Sequence, residues 1–323
     1  MLSRREVLFG AAAAGFAVFN QRLTAVMASA SQPATPVAFP VPAGACDCHT
    51  HVYDPKRFPF WSGRTYTPES ASLDEMRALH GALHIDRVVI VNSAVYGTDN
   101  AVTIDAIRRL GPRARGIALI DEKTSDGQLD QLDRAGMRGI RLNFETFGIP
   151  DPATARKRFR TSVERLAGRR WHIQIYTRLS LLDALQDQIM SSPLQVVFDH
   201  FALAQASLGL DQPGFGTLLG LLRAGKAYVK ISAPYRMSTR PPDYVDAVSL
   251  AAALVAANPE RVLWGSDWPH PDSTVVPGRG ATDVTPLYQI DDGRVLNQLA
   301  RWTPDVDQRK KILVENPARL YGF

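Results

Sequence analysis

Residues 44–55 read GACDCHTHVYDP. The first half is short and apolar enough for a strand, and the run opens directly into His49, Thr50 and His51. In an open, doubly wound sheet the turn after the first strand is glycine-rich and cradles phosphate. Two imidazoles stand there instead. Residues two apart on an extended strand share a face, so both side chains can address one centre. The stretch points away from a nucleotide fold and toward chemistry at a strand end.

Seven more apolar or β-branched runs follow, at 86–93, 114–121, 137–144, 172–177, 194–201, 227–234 and 261–268. Several are nearly continuous, the pattern of parallel strands covered by helices on both faces. Amphipathic segments fill the gaps. The segment 72–83 opens with Ser72 and carries Glu75 three residues on, a capping box; the segment 100–111 closes on Gly111, a helix stop. Eight strand–helix units in one stretch, 44–323, predict an α/β fold: a distorted (β/α)8 TIM barrel in a single domain.

Hydrophobic residues make up 45% and charged residues 21%, which suits a packed domain and excludes a disordered chain. The N-terminus is a separate object. Arg4 and Arg5 precede the apolar run 7–19, and Ala28-Ser29-Ala30 has the small-x-small form of a cleavage site. This reads as a twin-arginine-type signal peptide over 1–30, hence an exported or periplasmic protein. The run is too short to cross about 30 Å of hydrocarbon. A Pro-rich lead-in over 31–43 follows. Part of the formal +5 charge lies in this leader (Arg4, Arg5, Arg22), and no basic run carries interleaved aromatics, so nucleic acid is not an expected partner. Cys46 and Cys48, two apart, are too close for a relaxed disulfide and read as small buried residues.

In a β/α barrel the chemistry sits where strands end. Those ends offer His49 and His51, Asn92 and Ser93, Asp121, Arg141 and Asn143, Tyr176, Asp199 and His200, Ser232, Tyr235 and Arg236, and finally Asp267 and His270. Arg141 inside an apolar strand needs an anionic partner, either a structural carboxylate or a substrate. His80 and His84 lie on the first helix and read as packing or surface residues; His172 starts its strand, at the wrong end of the barrel, and reads as structural.

DCHTHVYDP, GMRGIRLNF, VVFDHF and LWGSDWPHP together resemble the amidohydrolase superfamily, in its branch of amidohydrolase-2-type lactonases. The resemblance runs from about Pro42 to the closing NPARLYGF and implies the same barrel. It implies a lactone hydrolase with His49, His51, His200 and Asp267 as catalytic residues. Arg141, Arg236, Tyr66, Tyr176, Ser93 and His270 would contact a small anionic lactone. Members acting on dicarboxylates carry a further basic residue just past the fourth strand; here the stretch reads NFETFGIPD, with Glu145 and Phe147, which argues against a second carboxylate.

Metal-bearing members place a histidine after strand five and a bridging Lys or Glu on strand four. This chain has Tyr176, Arg141 and Asn143 there. The expectation is that no cofactor is required, with one Zn²⁺ on His49, His51, His200 and Asp267 as the alternative. Without metal, Asp267 would take a proton from water while the three histidines support the carbonyl oxygen. The competing activities are lactone isomerisation, zinc-dependent hydrolysis or decarboxylation, and, from another class, an exported binding protein on a degenerate barrel.

Overall fold

A computed structural model describes residues 30–146, 148, 151–274 and 276–323, so the leader and Phe147 lie outside the described residues. Eight strands form one parallel sheet in chain order: β1 (Cys46–Thr50), β2 (Arg87–Val91), β3 (Ala114–Ala118), β4 (Met137–Asn143), β5 (His172–Tyr176), β6 (Val196–Phe198), β7 (Ala227–Ser232) and β8 (Val262–Gly265). Each of the first seven is followed by one helix: α1 (Leu73–Leu83), α2 (Ala101–Leu110), α3 (Asp126–Arg134), α4 (Pro152–Arg165), α5 (Leu182–Ser191), α6 (Phe215–Arg223) and α7 (Val248–Ala257). Short helices from Asp292 to Tyr321 follow β8. The (β/α)8 barrel expected from the alternation is present. Ser72 and Glu75 make the capping box read from the sequence.

The barrel closes between β8 and β1. Thr50 bridges Trp268 in parallel, His51 N donates to Trp268 O at 2.8 Å and Asp267 N donates to His49 O at 2.9 Å. Gly265 permits this approach, because a Cβ there would stand 2.9 Å from the His49 backbone nitrogen. Asp47 stitches the same seam. Its Oδ1 accepts from His49 N and Ser266 N, and its Oδ2 accepts from Ser266 Oγ and faces His80 Nε2 at 3.3 Å. His80 is therefore a buried seam residue, whereas His84 is an exposed C-cap at φ 58°.

Alternate strand positions divide the core. Val88, Ile90, Val196, Phe198, Val229, Ile231, Val262 and Trp264 pack outward with the helices in the main core. The other parity builds a separate inner floor of Cys46, Cys48, Val89, Val91, Ile117, Val197, Tyr228 and Leu263, closed by Tyr321. Both cysteines are free and buried, as expected of small filler residues. His172 is buried against Tyr321, with ring centroids 5.3 Å apart, and so belongs to the floor.

Strand six is shorter than its apolar run. β6 stops at Phe198 because His200, Phe201, Ala202 and Leu203 all have φ between 49° and 56°. Non-glycine residues pay a steric cost in this left-handed region, so four in succession require a surrounding that fixes them. The 31–43 lead-in is extended and docked: Thr35 Oγ1 donates to Asp291, and Asn297 Nδ2 donates to Pro36 O. No helix among the described residues is long and apolar enough to cross a membrane.

Candidate active site

The left-handed turn after β6 aims His200 inward, and positive φ at Asp267 (66°) does the same from the end of β8. Four buried side chains then converge. Asp267 Oδ1 lies 3.6 Å from His49 Nε2, 3.7 Å from His51 Nε2 and 3.6 Å from His200 Nε2. The other carboxylate oxygen is occupied: Tyr235 Oη donates to Oδ2 at 2.7 Å and Arg236 Nε at 2.8 Å. Among the described residues neither Asp267 Oδ1 nor His49 Nε2 has a hydrogen-bond partner, although both are buried.

Beneath this ring lies a second polar layer, from inward positions of β4 to β7. Asp199 Oδ2 accepts from Arg141 Nε at 2.9 Å and Gln174 Nε2 at 3.0 Å. Lys230 Nζ donates to Gln174 Oε1 at 2.7 Å and stands 3.2 Å from both His49 Nδ1 and Asp199 Oδ1. The remaining imidazole nitrogens are also engaged. His51 Nδ1 meets Val91 O at 2.7 Å, and His200 Nδ1 meets Ser232 Oγ at 2.8 Å.

The electrostatics follow. Burial alone would raise the Asp267 pKa, but Arg236 and the histidines overrule it and hold the carboxyl well below its ordinary range. Asp199 behaves likewise: burial opposes ionisation, while Lys230, His49 and Arg141 enforce it. Burial, and next the Lys230 charge, push His49 well below the usual imidazole value. Burial lowers His200 to about 3, so both rings are neutral near pH 7. Burial keeps the Tyr235 phenol protonated and able to donate.

The distances from Asp267 Oδ1 to the three Nε2 atoms exceed a good hydrogen bond and are comparable to ligand separations around one tetrahedral ion. By position and donor type, His49, His51, His200 and Asp267 could hold a divalent metal; sets of three such groups, His49 with His51 and Asp267 and His49 with Asp199 and His200, lie close enough to share an ion.

The amidohydrolase family model matches residues 46–323. The chain belongs to the amidohydrolase family. It is 35% identical to a 2-pyrone-4,6-dicarboxylate hydrolase of Comamonas testosteroni over 88% of this chain and 92% of that one. It is 36% identical to a 4-sulfomuconolactone hydrolase of Rhizobium radiobacter, covering 89% and 93%. A solved Agrobacterium tumefaciens protein in its apo form superposes with a TM-score of 0.74 at 26% identity, over 90% of this chain and 98% of that one.

Within this amidohydrolase, the remaining residues read from the sequence take distinct places. Ser93 Oγ sits between two phenols, Tyr66 Oη at 3.3 Å and Tyr53 Oη at 3.2 Å. Tyr176 packs edge-on against His200, with Arg141 over its face. A cavity of about 770 Å³ reaches this region at Tyr176 and is lined also by Arg178, Tyr235, Arg236, Tyr244 and Tyr288 among others. His270 stands apart from its expected role as a substrate contact. It is fully buried, its Nε2 is 2.9 Å from Asp292 Oδ2, and its ring backs Tyr235, so it supports that phenol. Asp121 is exposed and caps its own turn with Thr124. Arg141 has the carboxylate partner its burial demanded, and that partner is Asp199.

The sequence reading missed Lys230, Gln174, Tyr53 and Arg178, and listed Asp199 without giving it a role. A signal existed for one of them. Lys230 interrupts AYVKISAP as Arg141 interrupts its own strand, and a buried ammonium needs partners just as a guanidinium does. Arg178 is found only in three dimensions, where its Nε and backbone N–H donate to Glu145 at the cavity rim.

Proposed function

We propose that this amidohydrolase opens a small anionic lactone by general-base attack of water. The observation that carries the reading is Asp267 Oδ1, a buried oxygen without a hydrogen-bond partner among the described residues, ringed by three histidines and held by two residues, Tyr235 and Arg236, that line a cavity. Tyr235 and Arg236 fix the carboxylate by its other oxygen, so Oδ1 is free to take a proton. Water deprotonated there attacks the lactone carbonyl; the ring C–O bond breaks, and the proton held on Asp267 passes to the departing alkoxide. An N–H from the histidine ring supports the oxygen as charge develops. The relatives named for pyrone dicarboxylate and sulfomuconolactone hydrolysis support an anionic lactone as substrate class.

Arg236 lines the cavity while anchored by Nε to Asp267, and Arg141 is anchored by Nε to Asp199; we assign them one substrate anion. Glu145 is paired with Arg178 on the same wall, so the pair offers no net positive charge to a second substrate anion. Bound at His49, His51, His200 and Asp267, a divalent metal would acidify water and polarise the carbonyl. We infer that the reaction runs without one. The test is a panel of lactones bearing one carboxylate or sulfonate, with products read by NMR and the assay repeated after chelation. Ring-opened acid supports the proposal. A second lactone would replace hydrolysis by isomerisation, released CO₂ would mean decarboxylation, and loss of turnover on chelation, restored by Zn²⁺, would overturn the metal-free route.

The pKa directions carry a prediction for the pH profile. An ionised base works above its pKa and is lost as pH falls through it; Asp267 lies well below 3.8 and His200 is neutral above about 3. The expected kcat/KM stays flat on the acid side, within about twofold from pH 8 to pH 5. An acid limb centred near pH 6.5, the ordinary imidazole value, would instead assign the base to a histidine.

For localisation we propose export by the twin-arginine route, supported by Arg4, Arg5 and the apolar run behind them. Replacing both arginines by lysine should leave the protein in the cytoplasmic fraction; unchanged export would refute the assignment.

A further inference from the structure

The tautomer of His49 decides whether its Nε2 presents a lone pair or a proton to the centre. Nδ1 has two neighbours. Asp199 Oδ1 lies 3.1 Å away but has no hydrogen bond of good geometry among the described residues. Lys230 Nζ, at 3.2 Å, is in hydrogen-bonding geometry with Nδ1. The same Nζ faces Gln174 Oε1 at 2.7 Å and Asp199 Oδ1 at 3.2 Å. Gln174 has its amide orientation fixed in turn, since its Nε2 donates to Asp199 Oδ2. An ammonium has three donors and no acceptor. Its two hydrogen-bonded neighbours here, Gln174 Oε1 and His49 Nδ1, are therefore acceptors.

We propose that Lys230 is a positioning residue that fixes His49 as the Nε2–H tautomer, making it a hydrogen-bond donor at the reaction centre and a poor metal ligand. The consequence is local and chemical. With Nδ1–H on His51 donating to the Val91 carbonyl, His51 Nε2 is a lone pair. Were His49 Nε2 bare as well, a further imidazole lone pair would face the ionised Asp267 oxygen, an arrangement that favours a cation. The proton on His49 Nε2 lessens that demand. It also supplies an N–H to a developing oxyanion, so a buried amine one layer down does part of what a metal does in other sites. The inference deepens the metal-free reading above but rests on hydrogen-bond donors and acceptors, not on the identity of the lactone.

Two measurements test it without any substrate. In the wild-type protein labelled with ¹⁵N-histidine, the His49 signals, identified by their loss in His49→Asn, should show a protonated Nε2 and a bare Nδ1. A protonated Nδ1 would overturn the proposal, and this experiment needs no Lys230 variant to fold. In Lys230→Met, Nδ1 loses its donor, so the ring can protonate there and turn a lone pair inward. Zn²⁺ added to metal-free protein should then bind one equivalent, 10- to 100-fold tighter than in wild type. Equal affinity in the two proteins, or stoichiometric tight Zn²⁺ in the wild type, would reject Lys230 as the residue that sets the tautomer.

Discussion

Asp267→Asn is expected to lower kcat by roughly 10²–10⁴-fold, about 3–5 kcal/mol of barrier, with KM changed little. The substitution is close to isosteric, so the loss isolates the charge and basicity of Oδ1. The fold should survive with a lowered Tm, because Arg236 loses its buried charge partner while Tyr235 can still donate to the amide oxygen and Arg236 keeps its second contact, Nη2 to Pro271 O at 3.2 Å. A circular dichroism spectrum matched to wild type at the assay temperature is the control. A rate within a few-fold of wild type would remove Asp267 as the base. The split between kcat and KM is informative in itself. Arg236 also lines the cavity, so a variant that loosened it would raise KM; loss confined to kcat shows that the damage is to proton transfer.

How far the sequence could lead is best seen strand by strand. All eight strands were legible because parallel strands buried on both faces are apolar runs bounded by helix caps, and that pattern is local. The end of β6 was not. The run is apolar from Val196 to Phe198 and then reads Asp199-His200-Phe201, and nothing in it announces four left-handed residues; their conformation is imposed by the site around them. The upper ring of His49, His51, His200 and Asp267 was legible because these residues sit at strand ends in a resembling motif. The layer below was half legible. Arg141 was recognised as a charge in need of a partner, but pairing is a property of the closed barrel, where β4, β5 and β7 each contribute one side chain and Asp199 follows the end of β6. The same closure makes His270 a support for Tyr235, although its position in the sequence, three residues past Asp267, suggests a contact with substrate.

That lower layer carries the second large prediction. Asp199→Asn should destabilise the protein by about 3–5 kcal/mol, a fall in Tm on the order of 10 °C. Asp199 is the anion shared by Arg141 and Lys230, both buried, and neutralising it leaves two cations facing a neutral amide. A buried ion pair contributes little net stability when intact, but its broken half is costly because the surviving charge keeps its desolvation penalty and loses its partner. The argument also predicts the rescue. Lys230→Met in the Asp199→Asn background removes one of the two stranded charges, so the double variant should be more stable than Asp199→Asn alone. The two single costs should therefore fail to add by more than 1 kcal/mol, well outside the deviation expected of independent sites. Additive costs in denaturant titrations would mean that Asp199 and Lys230 do not act as a pair. Activity need not return with stability, because the double variant still lacks the ammonium behind His49. Separating these two readouts distinguishes what the layer does for the fold from what it does for the ring above it.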